Sequence, residues 1–286
     1  MNDFLARQER FPVVGSTNDV VRDWLAGGVA EVCLAVADRQ SAGRGRDGRS
    51  WTAPTGSALL LSLGFRPTWL EPERAWRLPA TVTLAMADAA EEVAGLADHA
   101  IRLKWPNDLV VETVGAAVPR APEAPTEVRK LAGVLGESVG LGGGDPQVVV
   151  GLGINTEWPA ASFPDELAAS MTSLHEASGG RPIDHVALLD AFLGRLEVRV
   201  EALRGGRFDV ADWTDRQITT GRVVEIIGVD GASEVARAVG VDAASGALVV
   251  EDGSATGADR FLLTGEVRRI RLRRSDPLVP LAAAEV

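Results

Sequence analysis

The chain has 286 residues, 46% hydrophobic and 24% charged, enough to bury a sizeable core in one large domain or two unequal ones. A formal net charge of −11 argues against a general nucleic-acid binder, which needs a basic surface to neutralise phosphates. The single Cys33 excludes a disulfide framework within the chain, and no run of about 18 apolar residues or N-terminal signal region occurs, so the expected location is the cytoplasm.

In chain order, Ser16 to Gly28 (STNDVVRDWLAGG) reads as a helix. Ser16 and Asp19 have the spacing of a capping box, Val20, Val21, Trp24 and Leu25 share a face, and Gly27-Gly28 stop it. EVCLAVA (31–37) reads as a buried strand and SALLLSLGF (57–65) as another, the latter set off by Pro54 and Gly56. Residues 80–95 make an apolar helix. IRLKWPNDLVVE (101–112) reads as two short strands broken at Pro106-Asn107. Residues 113–128, rich in Pro and Ala without periodicity, read as a mobile insertion in a hairpin. RKLAGVLGESVGL and PQVVVGLGINT follow as strands, and 183–204 as a long helix. From about residue 218, short β runs between Gly/Asp turns (GRVVEIIGV, SEVARAVGV, ALVVEDG, RFLLTGEVRRIRL) suggest a small antiparallel barrel. The expected partition is 1–217, 218–274 and a tail from 275 to 286.

Between the first two of these strands lies AGRGRDGRSW (42–51), with three arginines and a G-x-G-x-x-G spacing. A dinucleotide fingerprint opens a helix, whereas this loop leads into a strand, and no G-K-[ST] ends it as a phosphate-binding P-loop would require. A solvated basic loop or a small-anion clamp both remain open. Three glycines make such a loop costly to order yet easy to close over a ligand. Only two of the 29 basic residues are lysines, Lys104 and Lys130. Arginine cannot replace a compact ammonium in a tight site, so both are candidates for such positions. KWPND (104–108) is either a simple turn or part of a site. Gly151 and Gly153 permit either close strand packing or close approach of a ligand. His99, His175 and His185 have no metal-ligand spacing.

Taken together, STN before a helix, QSAGRGRDGRSW, KWPND, RKLAGVL and VGLGIN, in this order, resemble the biotin–protein ligases over about residues 11–270. The resemblance implies an α+β fold: a mixed-sheet catalytic domain of the biotin/lipoate ligase type, similar to class II aminoacyl-tRNA synthetases, plus a small C-terminal SH3-like β-barrel. It implies that biotin is activated by ATP to biotinyl-5′-AMP and passed to a lysine of a biotin carboxyl carrier protein, the expected partner. Mg²⁺ and fixed cations would offset the repulsion between a carboxylate and a polyphosphate.

By the same resemblance Ser16, Thr17, Asn18, Gln40, Arg44, Gly45, Arg46 and Lys130 bind biotin. Arg46, Arg49, Trp51, Asn107 and Asn155 belong to the ATP side, and Lys130, Arg44 and Asp108 form the catalytic set. No metal-ligating side chain is assigned. Only about ten residues precede FPVVGSTN, so the form without an N-terminal DNA-binding module is expected, as a monomer or weak homodimer that engages neither DNA nor membrane. The nearest alternative is a lipoate–protein ligase; a more distant one is a non-catalytic ligand-sensing or nucleic-acid-binding module.

Overall fold

The most apolar stretch of the chain organises the fold. ALLLSLGF forms β3 (Ala58–Phe65), buried at every position, near the middle of a seven-stranded sheet of order β1-β2-β3-β7-β6-β5-β4. The computed structural model describes residues 4–114, 126–251 and 258–272. The other strands are β1 (Arg7–Phe11), β2 (Cys33–Ala37), β4 (Ile101–Lys104), β5 (Asp108–Val114), β6 (Thr126–Val139) and β7 (Gln147–Asn155). The β1–β2 pair is parallel and the remaining pairs are antiparallel. β1 is polar and mostly exposed, so it lacks the alternation that marks a half-buried strand.

Alternation along the buried strands builds two cores. Leu34 and Val36 of β2 join Leu59, Leu61, Leu63 and Phe65 of β3 against α2 (Arg77–Ala94) and α5 (His185–Arg204). Cys33 and Ala35, on the opposite face, pack with Val21, Trp24 and Leu25 of α1 (Thr17–Ala26). The sheet therefore has the long helices on one side and α1 on the other. Beyond that helix the same face carries Gly151, Gly153 and Gly133 of β7 and β6, against which Asn18, Trp51 and Lys130 pack.

Most sequence expectations match these elements within a few residues. The apolar helix begins at Arg77 rather than 80, since Pro79 lies in the first turn, where a missing N–H costs nothing. Ser16 occupies the N-cap of α1, but its side chain makes no capping bond, and Asp19 pairs with arginines instead. The short helices α3 (Asp165–Ala168), α4 (Leu174–Ala177) and α6 (Val210–Asp215) carried too little periodicity to be read from sequence. The supposed insertion falls mainly on residues 115–125 and the supposed tail on 273–286, outside the described residues.

The C-terminal β runs form a second, antiparallel sheet of order β11-β10-β9-β8-β12. Its strands are β8 (Val223–Gly228), β9 (Ser233–Val241), β10 (Leu248–Val250), β11 (Arg260–Leu262) and β12 (Val267–Leu272). The last run, expected as one strand, divides in two at the turn following Leu263. Val224, Ile226, Ala238, Leu248, Val250, Val267 and Ile270 bury one face of this sheet, and Trp105, between β4 and β5, completes its core. The Trp105 indole donates to Gly246 O at 2.9 Å. Among the described residues no helix is long and apolar enough to cross a membrane.

Arg216 ties the start of β4 to the helices beside it. Its side chain, 1% exposed, donates to Glu91 Oε1 and Oε2 at 2.8 and 3.0 Å, to Asp88 at 2.8 Å, to Asp212 at 2.8 Å and to the carbonyl of Ile101 at 2.9 Å. Glu91 in turn accepts the Ile101 N–H at 2.8 Å. One guanidinium thereby clamps α2, α6 and the start of β4. Removing it would strand buried carboxylates, so Arg216→Ala is expected to lose about 3–5 kcal/mol in urea unfolding. Arg207→Ala, at an exposed position, is expected to stay within about 0.5 kcal/mol of wild type. Equal, small losses for both would contradict the clamp.

Candidate active site

The open part of the α1 face is a cleft of about 740 Å³, bounded by α1, the arginine loop, β5–β7 and the small sheet. At one end Gln40 Oε1 accepts from the Thr17 N–H at 2.7 Å and the Thr17 hydroxyl at 3.0 Å. Ser62 Oγ lies 2.7 Å from Thr17 Oγ1 and 2.6 Å from Asn18 Oδ1, and Asn18 Nδ2 donates to Glu137 at 2.7 Å. This polar chain runs through the first turn of α1 and across β3 to β6, fixing the amides and hydroxyls at the wall.

At the other end both lysines of the chain meet one carboxylate. Lys130 Nζ is 2.5 Å from Asp108 Oδ1, and Lys104 Nζ is 3.6 Å from Asp108 Oδ2. Burial alone would push the Asp108 carboxyl up, but the two ammonium groups outweigh it and hold the pKa below the ordinary value. Lys130 reaches this position through a β-bulge. The register pairs Leu109 with Ala132 but Val110 with Lys130, so Leu131 is the extra residue. Leu131 and Ala132 both enter the core, and Lys130 is turned to the cleft face with Gly133. Without the bulge, alternation would aim Lys130 into the apolar core.

The KWPND motif splits its residues among several tasks. Lys104 and Asp108 face the cleft, Trp105 enters the small-sheet core, and Asn107 Nδ2 donates to Val134 O at 2.8 Å, tying the turn to β6. The glycines of VGLGIN accommodate side chains: a Cβ on Gly151 would lie 2.2 Å from Asn18 Oδ1, and one on Gly153 would lie 2.5 Å from Trp51 Nε1. What these glycines admit is a side chain rather than a neighbouring strand, and both also line the cleft. Trp51 lies along β7 with Lys130 Nζ 5.4 Å from its ring, and its buried Nε1 has no hydrogen-bond partner among the described residues.

The arginine loop is a small hairpin, closed by Gly45 N–H to Arg49 O at 2.7 Å and Trp51 N–H to Gly43 O at 2.9 Å. Arg44 pairs with Asp19, while Arg46 Nη2 donates to Thr264 O at 2.9 Å and Val267 O at 2.7 Å on the small sheet. Arg49 stands 4.0 Å from Asp47.

Of the residues singled out from sequence, Ser16, Thr17, Asn18, Gln40, Arg44, Gly45, Arg46, Arg49, Trp51, Asn107, Asp108 and Lys130 all line the cleft. Asn155 does not: it is fully buried, its Nδ2 donating to Thr172 O at 2.9 Å. Sequence reasoning gave no role to Ser62 or Glu137, since isolated polar residues within apolar runs carry no motif, and it gave Asp19 only that of a helix cap. Among the described residues no group of three or more His, Cys, Asp or Glu could hold a metal ion.

Residues 10–155 match the biotin/lipoate A/B protein ligase family. The chain belongs to that family. It is 30% identical over 215 residues to the biotin–[acetyl-CoA-carboxylase] ligase of Mycobacterium tuberculosis, covering 74% of this chain and 71% of that protein. It is also 30% identical over 187 residues to the bifunctional ligase/repressor BirA of Bacillus spizizenii, covering 65% of this chain and 51% of that protein. The matched region thus spans about half the length of the Bacillus relative. A solved structure of the biotin protein ligase from Aquifex aeolicus in complex with biotin and ATP matches 94% of this chain and 99% of that one, with a TM-score of 0.72 and 25% identity. The mixed sheet with a small C-terminal β sheet is therefore the architecture of a biotin/lipoate ligase family member.

Two tests follow from the site's geometry. Gly153→Ala forces a methyl group into the Trp51 indole, so a loss of about 1–3 kcal/mol and a shift in tryptophan emission are expected. An unperturbed spectrum with unchanged stability would contradict the packing. A carboxyl whose pKa falls below its ordinary 3.8 on folding stabilises the fold above that value and loses the contribution as pH drops through the lowered one. The stability difference between wild type and Asp108→Asn should therefore be level near neutral pH and shrink below about pH 4. A difference that stays constant through that acid range would show that Asp108 gains nothing from its lysines.

Proposed function

We propose that the protein is a biotin–protein ligase, forming biotinyl-5′-AMP from biotin and ATP and transferring biotin to a lysine of a biotin carboxyl carrier protein. The observation that carries this reading is the meeting of Lys104 and Lys130 on Asp108 at one end of the cleft, with an uncharged hydroxyl–amide array at the other. A ureido ring is neutral and rich in donors and acceptors, which suits Thr17, Asn18 and Gln40. The carboxylate end and the α-phosphate are anionic, which suits the ammonium groups. Residues 1–217 would carry the reaction, and 218–274 would close the nucleotide side, where Arg222 and Arg271 join the cleft wall.

In the first step a biotin carboxylate oxygen attacks the α-phosphorus, and the bond to pyrophosphate breaks, its electron pair leaving with pyrophosphate. Lys130 would donate to the carboxylate and α-phosphate oxygens, so the two anionic groups approach against a fixed positive charge. Asp108 keeps that ammonium aimed. In the second step the uncharged ε-amine of the carrier lysine attacks the acyl carbon; the bond to AMP breaks and one proton is released. Mg²⁺ is commonly held by one or two carboxylates together with substrate phosphates. It would enter here as part of the MgATP substrate. Asn155 would support the wall from below by holding the Thr172 carbonyl.

The experiment is pyrophosphate exchange with biotin and with lipoate, followed by labelling of a carrier domain. Biotin-dependent exchange is expected; lipoate-dependent exchange alone would assign the cleft to the other branch of the family. Lys130→Arg keeps the charge but replaces a compact donor by a planar fork. It is expected to lower single-turnover adenylate formation by about 10²–10³, the usual cost of one preorganised donor. A folded Lys130→Arg protein within about twofold of wild type would refute the role, since a surface change costs under about 0.5 kcal/mol.

A further inference from the structure

The arginine of the loop that would most naturally be read as an anion ligand is already occupied. Arg44 Nη1 donates to Asp19 Oδ2 at 2.8 Å and Nη2 to Asp19 Oδ1 at 2.7 Å, a two-pronged pair that uses both ends of the guanidinium. Arg22, one turn further along α1, donates to Asp19 Oδ1 at 2.6 Å and to Glu137 Oε2 at 2.8 Å. Glu137 lies 3.6 Å from Arg44 Nη2 and accepts from Asn18. Two carboxylates and two guanidiniums thus form a closed quartet joining the loop, α1 and β6. The Asp19 carboxyl is held below its ordinary range, chiefly by its hydrogen bond to Arg44.

The placement of the quartet gives it a mechanical consequence. Gln40, just before the hairpin, is held by Thr17 in the first turn of α1, and Arg44, within the hairpin, is held by Asp19 in the same turn. The loop is therefore fastened to one helical turn at two points four residues apart. Between Arg44 and Trp51 the hairpin's backbone is closed on itself, and the residues so presented line the cleft. Three glycines would otherwise leave this segment many conformations. Fixing Arg44 removes that freedom before any ligand arrives.

We propose that Asp19 is a positioning residue that pins Arg44, and through it the 43–51 hairpin, over the cleft, so that the Arg44 guanidinium anchors the loop and an acyl-adenylate meets the backbone the anchor presents. The proposal rests on the reading of the cleft as an acyl-adenylate site. Glu137 supports the anchor from β6 by holding Arg22 and Asn18 in register with it. The loop's acidic partners are its own fasteners, and affinity for the bound intermediate depends on a carboxylate that never touches it.

The test is a double-mutant cycle of Asp19→Asn, Arg44→Gln and the combined variant, with two readouts. The first is hydrogen exchange of the Gly45 and Trp51 amides in the free protein, with amides of α2 as the folding control. The second is the release rate of biotinyl-5′-AMP. Each single variant is expected to speed both by about fivefold, the upper range for a partly exposed ion pair. The double variant should be no faster than either single one, because both remove the same interaction. Asp19→Glu is expected to recover part of the loss. Wild-type exchange in Asp19→Asn would overturn the proposal. So would additive effects on release, since Arg44 would then be touching the ligand itself. Faster loop exchange in a protein that retains lipoyl-AMP rather than biotinyl-AMP would uphold the anchor and overturn only the choice of substrate.

Discussion

Asp108 stands between the two ammonium groups of a chain that otherwise draws its positive charge from arginine. A lone carboxylate in this partly buried corner would be pushed toward its neutral form; two lysines keep it charged, and it in turn keeps them aimed at the cleft. Three charges in one corner leave a net positive charge there, although the protein as a whole is strongly acidic. That local reversal of sign suits the approach of a carboxylate to a phosphate. An arginine at either position would bring a wider fork into a gap that admits one donor atom at 2.5 Å.

The surrounding fold exists in large part to hold that corner. β5 supplies Asp108, the end of β4 supplies Lys104, and β6 supplies Lys130 only because Leu131 bulges out of register. Between the first two, Trp105 leaves the cleft and inserts into the small-sheet core, so the turn carrying the charges is gripped from the far side. Arg216 secures the start of β4 to α2 and α6, its own carbonyl accepts from the Leu103 N–H at 2.8 Å, and the Ile218 N–H donates to Leu103 O at 2.9 Å, immediately before Lys104. The Arg216 clamp thus lies next to the residue that carries one of the two ammonium groups.

Much of this was legible in the sequence because it depends on local rules. Apolar runs bounded by Gly and Pro gave β2, β3 and β7, and a glycine pair gave the end of α1. Scarcity of lysine singled out Lys104 and Lys130 before any contact was known. What stayed hidden depends on pairing at a distance. The bulge at Leu131 is a property of register between β5 and β6. Asp19 read as a capping residue because its spacing from Ser16 fits one; its real partner, Arg44, lies 25 residues away. Gly151 and Gly153 left strand packing and ligand approach open; both line the cleft, and the groups that need their missing Cβ are the side chains of Asn18 and Trp51. Asn155 sat in a motif and was assigned to the nucleotide side, but its side chain holds the chain segment at Thr172. In each case the residue type was informative and its partner was not.

The scarcity of lysine also supplies the most direct measurement. Protein grown with lysine labelled at ¹³Cε and ¹⁵Nζ should give only two side-chain ammonium signals in a heteronuclear spectrum. If both groups are held by Asp108 at the reacting end of the cleft, Asp108→Asn will move both signals in the free protein. Adding biotinyl-5′-AMP to wild type will then shift the Lys130 signal most strongly while Lys104 follows. Two signals that sit at the positions of free lysine, respond to neither change, and stay put when the adenylate binds would contradict the account.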